Sequence, residues 1–173
     1  EMARKSIADV GCYDGYLIEQ LSQLPFLDVH GFEPRHDGIR RGEVIRDVLE
    51  IPSRVRYQTA SLDSIPDGLQ FDVVLSTGLF HHLRSVPEGI EHLVSHCKEL
   101  VIIECIVVPE HAVRAIDAKD VELKDIVYRE ETLSGMFGVS FQKYESDYYP
   151  GSQFDSSVVE FASVNTFELA LSQ

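Results

Sequence analysis

The chain has no tryptophan, only three cysteines among its 173 residues, and about half as many basic as acidic side chains. Fifteen Lys and Arg residues face 29 Asp and Glu residues, which gives a formal net charge of −14. Proteins that grip nucleic acid through its phosphates need a basic surface, so this balance argues against a nucleic-acid partner bound by this chain itself. The same balance still allows a nucleic-acid substrate that a partner domain delivers.

The three cysteines, Cys12, Cys97 and Cys105, are odd in number and lack the spacing of metal ligands. We therefore expect reduced thiols, no metal site and a cytoplasmic location. No apolar run approaches the roughly 20 residues of a membrane span, and no signal-peptide pattern is present. Length and an ordinary hydrophobic content of 44% predict a single domain over residues 1–173 with a full core.

Glycine, although modest in number, marks the most informative stretch. Residues 7–15 read IADVGCYDG, a short buried strand that breaks into a turn with Gly11 and Gly15, and Tyr16–Leu24 has the apolar spacing of a helix. Glycine lets the backbone approach a ligand closely, and the start of a helix offers N–H groups. This order of strand, turn and helix is typical of a nucleotide-type ligand site.

A second predicted strand ends in the run VHGFEP, whose acid is Glu33 and whose Pro34 stops the strand. An acid at this point is placed to accept hydrogen bonds from both ribose hydroxyls. Dinucleotide enzymes require G-x-G-x-x-G, whereas this turn has two glycines and is preceded by Asp9. An acid there repels phosphate and suits a cationic ligand such as S-adenosylmethionine, which has an amino group and a sulfonium.

Strand and helix patterns alternate through the first two thirds of the chain. After the second strand, the pattern predicts a helix over Arg35–Glu50, strands over Val55–Thr59 and Phe71–Ser76, a helix over Val86–Cys97 and a strand over Leu100–Val108. Such alternation is typical of a doubly wound α/β sheet.

The C-terminal part has a different pattern. It predicts a short helix over Glu131–Gly138 and then two strands, Val139–Tyr149 and Val158–Leu171, joined by a proline-glycine turn. Strands that follow one another over a short connection pair antiparallel.

Four motifs in order, DVGCYDGYL, GFEP, FDVVLSTGLFHHL and LVIIECIVV, resemble those of class I S-adenosylmethionine-dependent methyltransferases. The resemblance covers about residues 6–108. It implies methyl transfer with S-adenosylmethionine as cofactor, and a mostly parallel, seven-stranded α/β sheet with an antiparallel last strand and helices on both faces. Members usually carry helices ahead of the first strand, and these helices often cover the substrate. We therefore expect either that this domain is excised from a longer chain, with a lid or partner domain upstream of Glu1, or that it lacks the N-terminal lid helices and something else covers the substrate.

The resemblance also implies cofactor-binding positions in four segments. These are Asp9, Gly11, Cys12, Tyr13 and Gly15 in the first motif, Glu33 and Pro34 after it, Ser61, Leu62 and Asp63 after the third strand, and Thr77 and Gly78 after the fourth. The family usually has glycine where Tyr13 stands. One possibility is that the Tyr13 side chain points away and leaves the turn unchanged. The other is that it narrows the cofactor pocket or prevents cofactor binding. For Asp9 and Asp63, a helix-capping role is the alternative.

Three further residues are candidates for catalysis. His81 and His82 are possible general bases, with a structural, hydrogen-bonded histidine as the alternative for each. Glu104 interrupts an apolar strand, where a lone acid needs a partner or a ligand, so we expect it near the acceptor.

Three functions follow from these motifs. The acidic charge favours a small-molecule, glycan or natural-product acceptor. The run GLFHHLRS together with an acid in the fifth strand loosely resembles enzymes that modify wobble uridine in transfer RNA. The third possibility is a methyltransferase-like scaffold without activity, which Tyr13 motivates.

Overall fold

The structure is a computed structural model that describes residues 4–83 and 85–107, and the backbone of three later strands over residues 126–133, 136–144 and 158–162. The chain divides into two compact units, residues 1–79 with 92–104, and residues 80–91 with 105–173. Each unit is described by itself, and the single domain expected over residues 1–173 stays a prediction.

The first unit is built on a five-stranded parallel sheet. Its strands are β1 (Ser6–Val10), β2 (Asp28–Glu33), β3 (Val55–Thr59), β4 (Phe71–Thr77) and β5 (Cys97–Glu104), in the order β3-β2-β1-β4-β5. The chain proceeds outward from β1 in both directions, which makes the carboxyl ends of β1 and β4 the topological switch point where α/β proteins bind ligands. The α/β architecture with a parallel sheet is confirmed.

Two helices of this unit are α1 (Tyr16–Ser22) and α2 (His36–Val48), while α3 (Val86–Ser95) begins in the second unit and ends in the first. One hydrophobic cluster joins α1 and α2 to the sheet, and its buried members are Ile7, Cys12, Ile18, Phe26, Val29, Ile39 and Val55. On the other face of the sheet, the rings of His30, Phe32 and Phe71 pack together, with centroids 4.9 to 6.1 Å apart. The strands β1 and β2 are thus largely buried on both faces, whereas β3 and β5, at the edges of the sheet, have several exposed residues.

The boundary between α3 and β5 differs from the sequence prediction. Cys97 was expected at the end of a helix, but it starts β5 and pairs with Phe71. His96 explains the early strand, because its carbonyl accepts a hydrogen bond from Phe71 N (2.9 Å) and its Nδ1 lies 2.8 Å from the carbonyl oxygen of Leu69. Contacts between distant residues, which periodicity does not report, end the helix here.

The second unit contains an antiparallel sheet of three strands, β6 (Ile126–Leu133), β7 (Met136–Tyr144) and β8 (Val158–Ala162), in that order. The helix predicted over Glu131–Gly138 is wrong, because these residues belong to β6 and β7 apart from residues 134–135, which lie outside the described part. Pairing across the hairpin, for example of Tyr128 with Phe141, overrides the local helix preference. The antiparallel pairing of β7 with β8 is confirmed.

The single seven-stranded sheet with an antiparallel last strand is not confirmed, since the described strands form separate sheets of five and three. The predicted continuation of β8 to Leu171 lies outside the described residues. Among the described helices, none has the length and apolar character needed to cross a membrane.

Candidate functional site

The turn between β1 and α1 is held against the end of β2. Gly11 and Gly15 both have φ of 86°, a backbone conformation that favours glycine. The amides of Gly11 and Cys12 donate to the carbonyl oxygen of Phe32 at 2.8 and 3.0 Å, and the amide of Gly15 donates to that of Cys12 at 2.9 Å. The turn therefore has one defined shape at the switch point of the sheet.

Asp9 lies under this turn near the end of β1, with only 1% of its surface exposed. Its Oδ1 has no hydrogen-bond partner among the described residues. Burial and, to a smaller extent, the charge of Glu33 raise the pKa of Asp9 to about 7. Burial, with Asp9 next in importance, also raises the pKa of the Cys12 thiol. A buried, unpartnered carboxylate is costly, and a bound cation would offset that cost.

Glu33, the predicted ribose acid, is equally buried, and hydrogen bonds from its own chain engage both of its oxygens. Oε2 accepts from the backbone amide of Tyr13 at 3.1 Å. Oε1 accepts from the backbone amide of Arg35 at 3.1 Å and from the Nε of Arg35 at 2.6 Å. Glu33 therefore fastens the glycine turn to the start of α2.

Tyr13 has a φ of 49°, a left-handed backbone conformation that favours glycine. Its half-exposed ring lies 4.6 Å below the guanidinium of Arg35, and its hydroxyl accepts a hydrogen bond from Nη1 of Arg41 at 3.2 Å. Gly38 lets α2 approach the turn, since a Cβ atom there would lie 2.8 Å from the Tyr13 carbonyl oxygen. The Tyr13 ring thus lies between two arginines, and the Tyr13 backbone is in close contact with α2.

Sequence reasoning missed Arg35 and Arg41, which flank the Tyr13 ring. A signal was present, because the run PRHDGIRR concentrates three arginines directly after the ribose acid in a strongly acidic chain. The pattern alone did not indicate that these side chains return to the glycine turn.

The segment after β3 begins at the same edge of the sheet, where the amide of Ala60 donates to the carbonyl oxygen of Glu33 at 3.1 Å. Ser61 caps a short 3₁₀ turn over Leu62–Ser64, and its hydroxyl donates to Asp63 Oδ1. Leu62 is buried and Asp63 is exposed. The three predicted adenine-site residues therefore lie in one capped turn.

Thr77 and Gly78 lie where β4 ends. Thr77 pairs with Glu104, and the amide of Gly78 donates to the Glu104 carbonyl oxygen at 3.0 Å. Glu104 is the last residue of β5 and is exposed, so it ends the strand and does not interrupt it. Leu79 contacts the glycine turn, because a Cβ atom on Gly11 would lie 3.3 Å from the Leu79 Cβ. The ends of β1 and β4 thus form one continuous edge.

The two candidate bases belong to the second unit, in a 3₁₀ turn over Phe80–His82. Their imidazole rings lie 4.1 Å apart at an angle of 44°. Phe80 packs on α3, where a Cβ atom on Gly89 would lie 3.2 Å from its ring. Within residues 4–83 and 85–107, no group of three or more His, Cys, Asp or Glu side chains has the arrangement of a metal site.

Known proteins resemble this chain in amino-acid sequence. A family profile described as a methyltransferase domain matches residues 8–100. The tRNA U34 carboxymethyltransferase of Campylobacter jejuni subsp. doylei is 30% identical over 88 residues, which are 50% of this chain and 29% of that protein. The enzyme of the same name from Aliivibrio salmonicida is 31% identical over 58% of this chain and 30% of its own length. The chain thus spans about three tenths of these curated relatives.

Solved structures agree in fold. The N-terminal domain of EvdMO1 with SAH bound has a TM-score of 0.67 at 18% identity, covering 99% of this chain and 65% of that one. The same domain was also crystallised in the presence of SAH and D-fucose, with a TM-score of 0.66 at 17% identity over 99% of this chain and 66% of that one. An S-adenosylmethionine-dependent methyltransferase from Clostridium acetobutylicum scores 0.59 at 10% identity over 96% and 71%.

The profile match covers more than half of the chain, and it spans the glycine turn, Glu33 and most of the parallel sheet described above. The protein therefore belongs to the methyltransferase domain family, the S-adenosylmethionine-dependent enzymes of the class I fold.

Proposed function

We propose that the carboxyl edge of the five-stranded sheet binds S-adenosylmethionine, and that the protein transfers its methyl group to a small-molecule, glycan or natural-product acceptor. The observation that carries the proposal is the buried Oδ1 of Asp9, which has no partner within the described residues and lies under the glycine turn. A carboxylate there attracts an amino or sulfonium group and repels a pyrophosphate.

Each segment of the edge has a proposed role. Gly11, Cys12, Tyr13 and Gly15 shape the turn beside the methionine part, and Glu33, followed by Pro34, accepts the ribose hydroxyls. Ser61, Leu62 and Asp63 border the adenine, and Thr77 and Gly78 present backbone to the methionine part. The open space at Gly78 supports this, since among the described residues no heavy atom beyond its chain neighbours lies within 4 Å of a Cβ atom placed there.

For the chemical step, the cofactor supplies a methyl group that is already activated on sulfur. The contribution of the protein is then mainly to position the two reactants in line. A base is needed only when the acceptor carries a proton that must leave. We propose His81 or His82 for that role, and Glu104 as a residue facing the acceptor.

Charge and one structural relative guide the choice of acceptor. The net charge of −14 disfavours a phosphate-rich acceptor held by this chain alone. Because the related EvdMO1 domain was crystallised in the presence of D-fucose, sugars are the first class to test. We also propose that residues 1–173 form one cytoplasmic domain whose complete sheet has seven strands, the last antiparallel.

A second candidate function is modification of uridine 34 in transfer RNA, which the curated relatives favour. In that case a partner domain upstream of Glu1 would supply the basic surface that this chain lacks. A third candidate is a scaffold that binds no cofactor.

Calorimetric titration of the 173-residue chain with S-adenosylmethionine, S-adenosylhomocysteine and NAD tests the first step. We expect binding of the first two ligands and none of NAD, whereas binding of NAD alone would contradict the proposal. Methyl-labelled S-adenosylmethionine, offered with monosaccharides, glycans or unmodified transfer RNA, then separates the acceptor classes. Failure of the chain to bind S-adenosylmethionine or S-adenosylhomocysteine would favour the scaffold that binds no cofactor.

A further inference from the structure

The side chain of Arg35 lies across the proposed ribose acid. Its Nε donates to Glu33 Oε1 at 2.6 Å, and its guanidinium lies 4.6 Å from the centre of the Tyr13 ring. The Glu33 side chain is only 1% exposed, while that of Arg35 is 25% exposed. In this arrangement a ribose cannot reach both oxygens of Glu33 from solvent.

The hydrogen bonds that Glu33 already accepts leave too few acceptor positions for a ribose. A carboxylate offers about two acceptor positions on each oxygen. Oε1 already accepts two hydrogen bonds, from the amide and the Nε of Arg35, and Oε2 accepts one, from Tyr13. Counted over these hydrogen bonds between described residues, one position on Oε2 is left, whereas two ribose hydroxyls need two positions.

Only one of these three donors belongs to a side chain. The amides of Tyr13 and Arg35 are held by the turn and by the chain after Pro34, but the Arg35 guanidinium can rotate away. Its departure would leave one open position on each carboxylate oxygen, which is what two neighbouring hydroxyls require.

We infer that the Arg35 side chain competes with the cofactor ribose for Glu33, and that Tyr13 holds Arg35 in the closed position. The inference rests on the proposed function. Arg35 acts through Glu33 and is therefore a positioning residue. The Tyr13 hydroxyl is in turn fixed by Arg41, whose Nη2 also donates to Asp37 at 3.2 Å.

The test compares S-adenosylhomocysteine with its 2′,3′-dideoxy analogue by calorimetry on the wild-type chain and the Arg35→Ala variant. We expect Arg35→Ala to bind S-adenosylhomocysteine on the order of tenfold more tightly, because one charge-assisted hydrogen bond no longer has to break. The analogue, which lacks both hydroxyls, should bind the two proteins equally. Arg35→Met, which keeps an apolar stem, should behave like Arg35→Ala and controls for lost packing.

Arg56→Ala is the matched control, since Arg56 is exposed and its nearest acid, Asp28, begins β2 at the opposite end of the strand from Glu33. Arg56→Ala removes the same charge and should change the affinity for neither S-adenosylhomocysteine nor its dideoxy analogue. Unchanged or weaker binding of S-adenosylhomocysteine by both Arg35 variants would overturn the inference. An equal gain for both ligands would also overturn it, because that result indicates general electrostatics. Failure of the wild-type chain to bind either ligand would instead contradict the proposed function.

Discussion

The ring of Tyr57 lies directly against Gly15: a Cβ atom on Gly15 would come within 2.8 Å of the ring carbons Cε1 and Cζ. A Cβ atom on Gly42 would lie 2.8 Å from Cε1 of the same ring, and one on Gly31 would lie 3.1 Å from Cδ1. A residue in the centre of β3 thus supports the glycine turn, and three glycines make room for it.

Gly15→Ala should be strongly destabilising. The methyl group would overlap the Tyr57 ring, and φ of 86° is strained for any residue with a side chain. Overpacking and strain together should lower the free energy of unfolding by about 2–4 kcal/mol. Denaturant unfolding followed by circular dichroism measures the change.

Gly68→Ala is the control for Gly15→Ala, because Gly68 has a similar φ of 79°, but within the part of the chain that the structure describes nothing beyond its chain neighbours lies within 4 Å of the added methyl. It should cost only the backbone strain of about 1–2 kcal/mol. Equal losses for the two variants would show that the Tyr57 contact has no energetic weight.

Tyr57→Phe should leave stability unchanged or raise it. The Tyr57 hydroxyl is buried and has no hydrogen-bond partner among the described residues. Removing an unsatisfied polar atom while keeping the ring is expected to change the free energy of unfolding by about 0 to +1 kcal/mol. Tyr16→Phe, at an exposed position, is the matched control. A loss above ~1 kcal/mol in Tyr57→Phe alone would mean that the hydroxyl has a partner.

Asp9 should make stability depend on pH. Burial and the Glu33 charge raise its folded-state pKa to about 7, above the usual value near 4 in the unfolded chain. The native state then binds the extra proton, so this contribution to stability is full below about pH 4 and is lost as pH rises through about 7.

The Asp9→Asn variant isolates that contribution. We expect its gain in unfolding free energy over wild type to be larger at pH 8 than at pH 5, by roughly a few kcal/mol at most. Its affinity for S-adenosylmethionine should fall, because the carboxylate is lost. A stability difference that does not change between pH 5 and pH 8 would contradict the raised pKa.

Glu33→Gln should weaken the binding of S-adenosylhomocysteine by about tenfold or more, since an amide replaces the charged acceptor of the ribose hydroxyls. Calorimetry measures the dissociation constant. Glu43→Gln removes the same charge from an exposed position of α2 and should have no effect. An unchanged dissociation constant in Glu33→Gln would mean that the ribose lies elsewhere.

His81→Ala or His82→Ala should lower the methylation rate by about 10²–10⁴-fold and leave cofactor affinity nearly unchanged, if the acceptor must lose a proton. The measurement is the initial rate of methyl transfer to the acceptor that the experiment with labelled S-adenosylmethionine identifies. His92→Ala, an exposed histidine of α3, is the control. Full rates in both variants would assign structural roles to the two histidines and leave catalysis to proximity.

The local sequence pattern was sufficient to predict much of the fold. A short buried stretch predicted β1, alternation predicted β3 and a continuous apolar centre predicted β4, because a strand covered on both faces needs apolar side chains on both and a half-covered strand needs them on one. It was insufficient over Glu131–Gly138, where a plausible helix is overridden by pairing between β6 and β7. It also misplaced the start of β5, which depends on hydrogen bonds between His96, Leu69 and Phe71.

For the candidate site, the sequence by itself determined the chemical types and their order: an acid before a two-glycine turn and a second acid at the end of the next strand. Tertiary structure decided what those groups contact. That Tyr57 lies against Gly15, and that Arg35 joins Glu33 to the Tyr13 ring, depends on how side chains from separate segments pack. Spacing along a chain reports periodicity within one element, whereas these distances follow from the register of neighbouring strands and from the close approach of α2 at Gly38.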